Sequence, residues 1–245
     1  MRAMILAAGL GTRLGPLTSH RPKALVEVAG RSMLEITLRR LSAFGVREVI
    51  LNVHHFADLI VDYLKQNNNF GLRVEISREQ SLLDTGGGLK KAAWFFLEGE
   101  EENFLLHNVD VLSNIDFADM VQFHRSHHAL ATLAVKSRDT SRYLLFDSDN
   151  QLCGRRSRGQ DPEIVRPNAD LKELAFCGIH VISRQIFNLL HEDGVFSIVP
   201  SYLRLAAEGQ KILSFPSNSW YWRDLGKPDS ILKAERDAER GAIQF

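Results

Sequence analysis

An apolar segment that runs directly into a glycine-rich turn is the strongest constraint that this sequence places on its fold. Residues 3–8 read as a buried strand, and Gly9 and Gly11 follow at once. Two cations, Arg13 and Lys23, come soon after the turn. Glycine lets backbone N–H groups approach an anion closely, and Arg and Lys neutralise charge that is spread over several oxygens. The segment therefore predicts a strand–turn unit that holds a polyphosphate.

The turn differs from two common phosphate-binding loops. A Walker loop continues with Lys-Ser or Lys-Thr after its last glycine, whereas Thr12-Arg13 follows Gly11 here. The dinucleotide-binding fingerprint requires a third glycine or alanine where this chain has leucine at position 14. It also requires an acidic residue at the end of the second strand, whereas the second predicted strand of this chain ends near Asn52 and His54. These departures disfavour a nicotinamide-dependent enzyme.

Apolar runs alternate with helical patterns along the chain. Strands are predicted over 3–8, 48–53, 72–77, 103–107, 130–136, 174–182, 212–215 and 220–224, with a hairpin over 143–153. Helices are predicted over 32–44, 56–66, 87–97, 116–127, 184–191, 197–208 and 228–240. This order predicts a mostly parallel α/β sheet with helices on both faces, whose ligands bind beyond the carboxyl ends of the strands. The arginine-rich stretch 154–170 is predicted to be an irregular solvated loop, with a substrate lid as the alternative.

The composition is that of an ordinary globular chain. Of its 245 residues 44% are hydrophobic, and 30 basic residues balance 30 acidic ones. Zero net charge disfavours nucleic acid and anionic membranes as partners, so a phosphate site must be a local positive pocket. The sequence contains no apolar run of about 18 residues, which is the length that would predict a membrane span. Cys153 and Cys177 form no Cys-x-x-Cys pair, which favours free thiols in a reducing compartment. We therefore expect a soluble, cytoplasmic protein.

Residues 6–18, which read Leu-Ala-Ala-Gly-Leu-Gly-Thr-Arg-Leu-Gly-Pro-Leu-Thr, form a long pattern together with Pro22-Lys23-Ala24-Leu25. This pattern resembles that of the sugar-phosphate nucleotidyltransferases, also called nucleoside-diphosphate-sugar pyrophosphorylases. The resemblance implies a Rossmann-like nucleotide-diphospho-sugar transferase fold, with residues 1–245 in one domain and a sugar-side insertion at about 137–173. It also implies Mg²⁺-dependent condensation of a nucleoside triphosphate (NTP) with a sugar 1-phosphate, which releases pyrophosphate.

The resemblance also implies roles for single residues. Arg13, Lys23 and Asp110 are the candidate catalytic residues, and Asp110 and Asp224 are the candidate Mg²⁺ ligands. Two neighbours depart from the family pattern, since Val109 stands where glycine is usual and Lys227 where threonine is usual. The candidate sugar contacts are Asn108 and Gly178, and the candidate nucleotide contacts are Leu6, Ala7, Ala8, Gly9, Gly11, Thr12, Arg13, Glu79, Thr85, Gly86 and Gly87. Purely structural roles are the alternatives: a turn or helix cap for Asp110, helix capping for the glycines after Thr85, and strand packing for Gly178.

The stretch after Glu79 bears on the choice of base. Its Leu-x-Thr-Gly-Gly-Gly form over 83–88 resembles that of the compact uridylyltransferases that act on N-acetylmuramate 1-phosphate, whereas guanylyl- and thymidylyltransferases tend to differ in this stretch. The chain as a whole also resembles the mannose-1-phosphate guanylyltransferase type. UTP is therefore the preferred nucleotide. The alternatives are a cytidylyltransferase acting on a phosphorylated alcohol such as phosphocholine, and a non-catalytic regulator that binds a nucleotide sugar. The sugar is not identified, because the Glu-Lys-Pro tripeptide of larger relatives is missing.

Overall fold

The computed structural model describes residues 1–244, and within that range ten strands form the main sheet. The strands are β1 (Arg2–Leu6), β2 (Glu27–Val28), β3 (Arg31–Ser32), β4 (Glu48–Val53), β5 (Arg73–Arg78), β6 (Asn103–Asn108), β7 (Val111–Ser113), β8 (Ala131–Lys136), β9 (Arg142–Phe146), β10 (Leu152–Ser157), β11 (Glu163–Ile164), β12 (Lys172–Ser183), β13 (Ile212–Pro216) and β14 (Trp222–Asp224). The α-helices are α1 (Met33–Ala43), α2 (Ala57–Gln66), α3 (Asp84–Lys91), α4 (Ala93–Leu97), α5 (Phe117–Ser126), α6 (Ile198–Ala207) and α7 (Pro228–Glu239), and 3₁₀ helices span Thr12–Thr18, Lys23–Leu25, Asn68–Gly71 and Arg184–Asn188.

The centre of the sheet is parallel, in the order β5–β4–β1–β6. Beside β6 the long strand β12 runs antiparallel, and it continues the sheet through β9, β10 and β11 on one branch and through β8 and β13 on another. The register pairs Leu6 with both Asn52 and Asn108, so the carboxyl ends of the central strands meet at one edge. The predicted mostly parallel α/β sheet is confirmed for this central part.

Both faces of the sheet are covered by helices, as predicted. Ala3 and Ile5 of β1 pack in a cluster with α1, α2, α5 and α7, whereas Met4 packs in a second cluster with α3, α4 and α6. The side chains fall into two clusters because successive side chains of a strand point to opposite faces. All three are fully buried because helices cover both of these faces. Burying a side chain the size of Ile or Met stabilises the fold by about 1.5–3 kcal/mol.

The helix predicted over 32–44 shows local signals that sufficed to locate a helix. The Ser32 hydroxyl caps α1 by accepting a hydrogen bond from the Glu35 N–H at 3.0 Å. Leu38 and Leu41 lie on the buried face at helical spacing. The chain leaves the helix through Gly45, whose φ of 98° favours glycine.

The predicted helix over 87–97 is wrong in its bounds. α3 begins at Asp84, and Ala92 (φ −85°, ψ 2°) separates it from α4. The glycines lie inside the helix because they pack against the segment before α6: a Cβ on Gly86 would overlap the Phe196 ring, and one on Gly87 would overlap the Gly194 carbonyl oxygen. The predicted helix over 184–191 is likewise reduced to the 3₁₀ helix Arg184–Asn188, since the chain then turns to supply this packing segment.

The irregular loop predicted over 154–170 is wrong in part. β10 continues to Ser157 and pairs with β11, which places Arg155 opposite Glu163. The two side chains form an ion pair at 2.6 Å, and Arg156 pairs with Glu173. The density of arginines indicated a solvated loop, but antiparallel pairing supplies an acidic neighbour for each of these two strand arginines.

Three buried histidines make the stability of this fold dependent on pH. Burial is the main reason that the pKa falls to about 3 for His107 and His180 and to about 4 for His124. In the unfolded chain a histidine titrates near pH 6.5. The folded-state pKa values are therefore depressed, so their stabilising effect is complete above about pH 6.5 and is lost progressively as the pH falls towards 4 and then 3.

We expect the free energy of unfolding to fall by up to about 1.4 kcal/mol per pH unit for each buried histidine below roughly pH 6. Urea unfolding between pH 7.5 and 5.0 measures this slope. His124→Gln is expected to reduce the slope by about one proton, because it removes one group whose pKa is depressed in the folded state. His55→Gln, at an exposed position, is the control and leaves the slope unchanged. A slope that is the same in wild type and His124→Gln would contradict the assignment.

Close packing of α3 predicts a stability difference between two glycines. Gly87→Ala is expected to lower the free energy of unfolding by about 1–3 kcal/mol, because the new methyl group meets the Gly194 backbone. Gly9→Ala is the matched control, since nothing lies within 4 Å of its Cβ position. Its effect on unfolding in urea is expected to stay within about 0.5 kcal/mol. Equal losses in the two variants would show that the contact is not tight.

Candidate active site

The turn after β1 is shaped by glycine and rests on the segment that carries Lys23. Gly11 has a φ of 67°, and its carbonyl oxygen accepts hydrogen bonds from the Leu14 N–H at 2.9 Å and the Thr18 hydroxyl at 3.0 Å. A Cβ on Gly11 would lie 3.0 Å from Lys23 Cβ and from Thr18 Cγ2. Arg13 is exposed on the first turn of the following 3₁₀ helix. Only glycine therefore fits both the backbone angle and the close approach at position 11.

A chain of buried hydrogen bonds ties this turn to the stretch that precedes α3. The Ala7 N–H donates to Asn52 Oδ1 at 2.8 Å, and Asn52 Nδ2 donates to Glu79 Oε1 at 2.8 Å. The second oxygen of Glu79 accepts from the Leu83 N–H at 3.0 Å. Asn52 and Glu79 are 3% and 5% exposed, so the carboxylate is held in place on both oxygens. Sequence reasoning missed Asn52 as a site residue, although an amide at the end of an apolar strand was the available signal.

The candidate nucleotide contacts at 85–87 also have structural partners. The Thr85 hydroxyl accepts from the Ile198 N–H at 3.0 Å, at the start of α6. The N–H groups of Gly86 and Gly87 donate to the Phe196 carbonyl oxygen at 2.9 and 3.1 Å. Contact of these three residues with a nucleotide stays a prediction, and their observed contacts join α3 to α6.

Lys23 and Asp110 form an ion pair, in which the ammonium group meets Asp110 Oδ2. Their side chains are 12% and 15% exposed, so both charges are largely withdrawn from water. The partners arrive from distant parts of the sequence, Lys23 from the segment after the glycine turn and Asp110 from the residue pair between β6 and β7. Two of the predicted catalytic residues therefore touch.

Arg13 and Asp224 approach the same place from the other side. β14 pairs with β7, so that Asp224 lies opposite Val111, and the Leu225 N–H donates to the Asp110 carbonyl oxygen at 2.8 Å. A Cβ on Gly226 would lie 2.7 Å from both Arg13 Nη2 and Asp224 Oδ1. The structure therefore brings the two predicted cations and the two predicted carboxylates together at the carboxyl edge of the sheet.

The two carboxylates make a donor set that suits Mg²⁺. Lys23 engages Asp110 through Oδ2, and the Gly226 N–H engages Asp224 through Oδ1 at 2.8 Å, which leaves the second oxygen of each for another ligand. Residues 1–244 contain no group of three or more His, Cys, Asp or Glu side chains placed to hold a metal. Mg²⁺ commonly takes one or two carboxylates and completes its shell with water and substrate phosphates. The residues present therefore fit this ion in the presence of a polyphosphate.

The candidate sugar contacts adjoin one another beside this cluster. Gly178 has a φ of 73° and lies where the pairing of β12 with β8 shifts register. A Cβ there would lie 2.7 Å from Asn108 Nδ2 and 3.0 Å from Val111 Cγ2. Asn108 Oδ1 is buried without a hydrogen-bond partner among the described residues. Glycine is thus needed for packing, and the adjacent amide retains capacity for a hydroxyl group.

A cavity lies away from this cluster. It has a volume of about 910 Å³ and is lined by Met1, Asn103 and Ser183, at the amino ends of β1 and β6. The polar cluster lies at the opposite, carboxyl edge of the same strands, the edge where α/β sheets bind ligands. Across the part of the chain that the structure covers, no helix has both the length and the apolar character that a membrane span requires.

This chain is similar to known nucleotidyltransferases. A family model described as nucleotidyl transferase matches residues 2–241. An N-acetylmuramate alpha-1-phosphate uridylyltransferase of Caulobacter vibrioides is 36% identical over 246 residues, which cover 95% of each chain. A mannose-1-phosphate guanylyltransferase of Mycobacterium tuberculosis is 30% identical over 244 residues, which cover 98% of this chain and 65% of the relative.

Solved structures show the same fold. HddC from Yersinia pseudotuberculosis, complexed with GMP-PN, has a TM-score of 0.78 at 23% identity, covering 97% of this chain and 99% of its own. A putative glucose-1-phosphate thymidylyltransferase from Bacillus anthracis has a TM-score of 0.82 at 17% identity, covering 100% and 97%. Because the family model spans residues 2–241 and a 36% identical relative is matched over 95% of its length, this chain belongs to the nucleotidyl transferase family, among the enzymes that act on sugar 1-phosphates.

Proposed function

We propose that this protein condenses UTP with a sugar 1-phosphate to give a UDP-sugar and pyrophosphate, with Mg²⁺ as its metal ion. The observation that carries the proposal is the convergence of Arg13, Lys23, Asp110 and Asp224 at the carboxyl edge of the sheet. UTP is favoured over GTP because the 36% identical uridylyltransferase is matched over 95% of its length, whereas the guanylyltransferase is matched over 65% at 30% identity. N-acetylmuramate 1-phosphate, named in that first relative, is the first acceptor to test.

In this reaction a phosphate oxygen of the acceptor attacks the α-phosphorus of the triphosphate. The new oxygen–phosphorus bond forms as the bond between the α-phosphorus and the bridging oxygen breaks, and pyrophosphate leaves with that electron pair. The attacking phosphate is already an anion, so the protein needs no nucleophile and no general base. Its task is to bring two polyanions together and to stabilise the charge that develops on the leaving group.

The cations divide this task between them. Arg13, on the exposed turn, is proposed to bind the β- and γ-phosphates, because a planar guanidinium bridges two phosphate oxygens. Lys23, held by Asp110, is proposed to meet the α-phosphate and the phosphate of the acceptor. One well-placed donor to a developing negative charge accelerates such steps by about 10²–10³-fold. Asp110 and Asp224 would hold Mg²⁺, which supplies further neutralisation of phosphate charge when it is bound.

The buried network gives the nucleotide a defined position. Asn52 joins the backbone of the phosphate turn to Glu79, and Glu79 in turn holds the Leu83 N–H at the start of the stretch assigned to the base. Glu79 is therefore proposed to position this stretch, in addition to any contact with the base. Asn108, whose side-chain carbonyl oxygen has no partner in the described part of the chain, is proposed to bind a sugar hydroxyl.

We further propose that residues 1–245 form one domain, with the strands between 137 and 173 as a sugar-side extension. We propose a cytoplasmic location, since Cys153 and Cys177 are both buried free thiols.

Asp110→Asn is expected to reduce kcat for pyrophosphate release by at least about 100-fold at saturating Mg²⁺, because it removes a carboxylate from the metal site and a partner from Lys23. Asp62→Asn, an exposed position on α2, is the matched control and is expected to retain the wild-type rate. Far-UV circular dichroism and urea unfolding check that both variants are folded. An unchanged rate in Asp110→Asn would remove this residue from the site.

A panel of the four NTPs, each with N-acetylmuramate 1-phosphate, N-acetylglucosamine 1-phosphate, glucose 1-phosphate or phosphocholine, tests the substrates. Pyrophosphate release is expected to be fastest with UTP and a sugar 1-phosphate. Release with CTP and phosphocholine alone would replace the proposal by a cytidylyltransferase. Nucleotide binding in a thermal-shift assay without turnover of any acceptor would indicate a regulator.

A further inference from the structure

Arg138 is a cation at the sugar side of the site that the reaction described above does not use. It follows β8, and its guanidinium carbon lies 4.2 Å from the centre of the Trp222 ring. One of its terminal nitrogens donates to the Phe176 carbonyl oxygen at 3.1 Å. The Trp222 indole N–H donates to the Cys177 carbonyl oxygen at 2.8 Å, one residue before Gly178. The guanidinium is therefore fixed over the part of β12 that leads into the candidate sugar site.

No carboxylate of the described residues neutralises the charge of Arg138. No Asp or Glu of residues 1–244 lies within 4.0 Å of its guanidinium. The neighbouring Asp139 carboxylate is engaged by Arg158 and by the Tyr143 hydroxyl instead. Burial raises the pKa of the Cys177 thiol to about 12, so this nearby group stays neutral.

The hydrogen-bonding capacity of Arg138 is also largely unused. Its Nε atom is buried and has no hydrogen-bond partner within residues 1–244, and one terminal nitrogen makes only a 3.4 Å contact with the Asp139 carbonyl oxygen. A guanidinium has five N–H donors, and a half-buried one that lacks acceptors costs stability. Stacking on an aromatic ring offsets part of this cost, by up to about 2 kcal/mol. The Arg138 guanidinium therefore has the charge and the free N–H donors to bind an anionic ligand.

The position of Arg138 distinguishes this anion from the reacting phosphates. Lys23 is paired with Asp110, and Arg13 lies beside Asp224, so the phosphates have two cations of their own. Trp222 and Asp224 are two residues apart on β14, and their side chains therefore share a face. Arg138 stacks on the Trp222 end of this row, away from the Asp224 end where Arg13 lies.

We propose that Arg138 binds a carboxylate on the sugar ring of the acceptor, and that it thereby selects acidic sugar 1-phosphates over neutral ones. This inference rests on the proposed function. The planar guanidinium on the Trp222 ring would meet the carboxylate through two parallel hydrogen bonds, a geometry that a lysine does not reproduce. Arg138 is thus a specificity-determining residue, and it takes no part in breaking or forming the phosphate bonds.

The test compares two acceptors that differ by one acidic substituent, N-acetylmuramate 1-phosphate and N-acetylglucosamine 1-phosphate. Arg138→Gln is expected to raise KM for the first by about 10-fold or more, with kcat within about 2-fold, and to leave both constants for the second unchanged. Arg138→Lys is expected to recover only part of the loss. Arg125→Gln, an exposed arginine on α5, is the control and is expected to match wild type with both acceptors.

Other outcomes overturn the proposal in distinguishable ways. An equal loss with both acceptors would mean that Arg138 meets the phosphate they share, or supports the fold. No change with either acceptor would remove Arg138 from the site. Should wild type release no pyrophosphate at all, the proposed function fails. The carboxylate site is then decided by a thermal-shift comparison of the two sugar phosphates, in which wild type, but not Arg138→Gln, is expected to favour the acidic one.

Discussion

The parallel pairing of β1 with β4 and β6 is the constraint on which the site depends. It sets Leu6 beside Asn52 on one side and beside Asn108 on the other, so the polar residues that end these strands meet at one edge. The glycine turn begins at that edge, and Asp110 follows two residues after Asn108. A shift of one residue in this register would turn the strand ends to opposite faces and separate these groups.

The site brings two cations and two carboxylates together, with Lys23 and Asp110 largely buried and Arg13 exposed. The Lys23–Asp110 ion pair holds the buried part of this cluster together, and removing one partner would leave the other charge poorly solvated. The backbone supports the arrangement, since β14 pairs with β7 and the Leu225 N–H bonds to the Asp110 carbonyl oxygen. Lys136 adds to this support by donating to the carbonyl oxygens of Ser217 at 2.7 Å and Trp220 at 2.5 Å, just before β14. The carboxylate of Asp224 is thus held by a framework that the sequence motif around it does not reveal.

Sequence reasoning succeeded where neighbouring residues decide the outcome. The order of strands and helices followed from apolar spacing and from caps such as Ser32, and the main errors were one helix start, one short helix and the strands at 154–164. The glycines at 86–88 were predicted to open a helix at about residue 87, yet the helix begins at Asp84, and Gly86 and Gly87 pack within it against Phe196 and Gly194. The arginines at 155 and 156 resembled a solvated loop, yet their acidic partners are supplied by β11 and β12.

By itself, the sequence determined the strand–turn unit, the alternation of strands and helices and the family to which the chain belongs, because these depend on short contiguous patterns. It also singled out Lys23 and Asp110. Only the tertiary structure decided that those two side chains touch, that Asn52 and Glu79 link the phosphate turn to α3, and that Arg138 stacks on the Trp222 ring. The physical reason is that each of these contacts joins residues far apart in the chain, whose approach is set by sheet pairing and not by local preference.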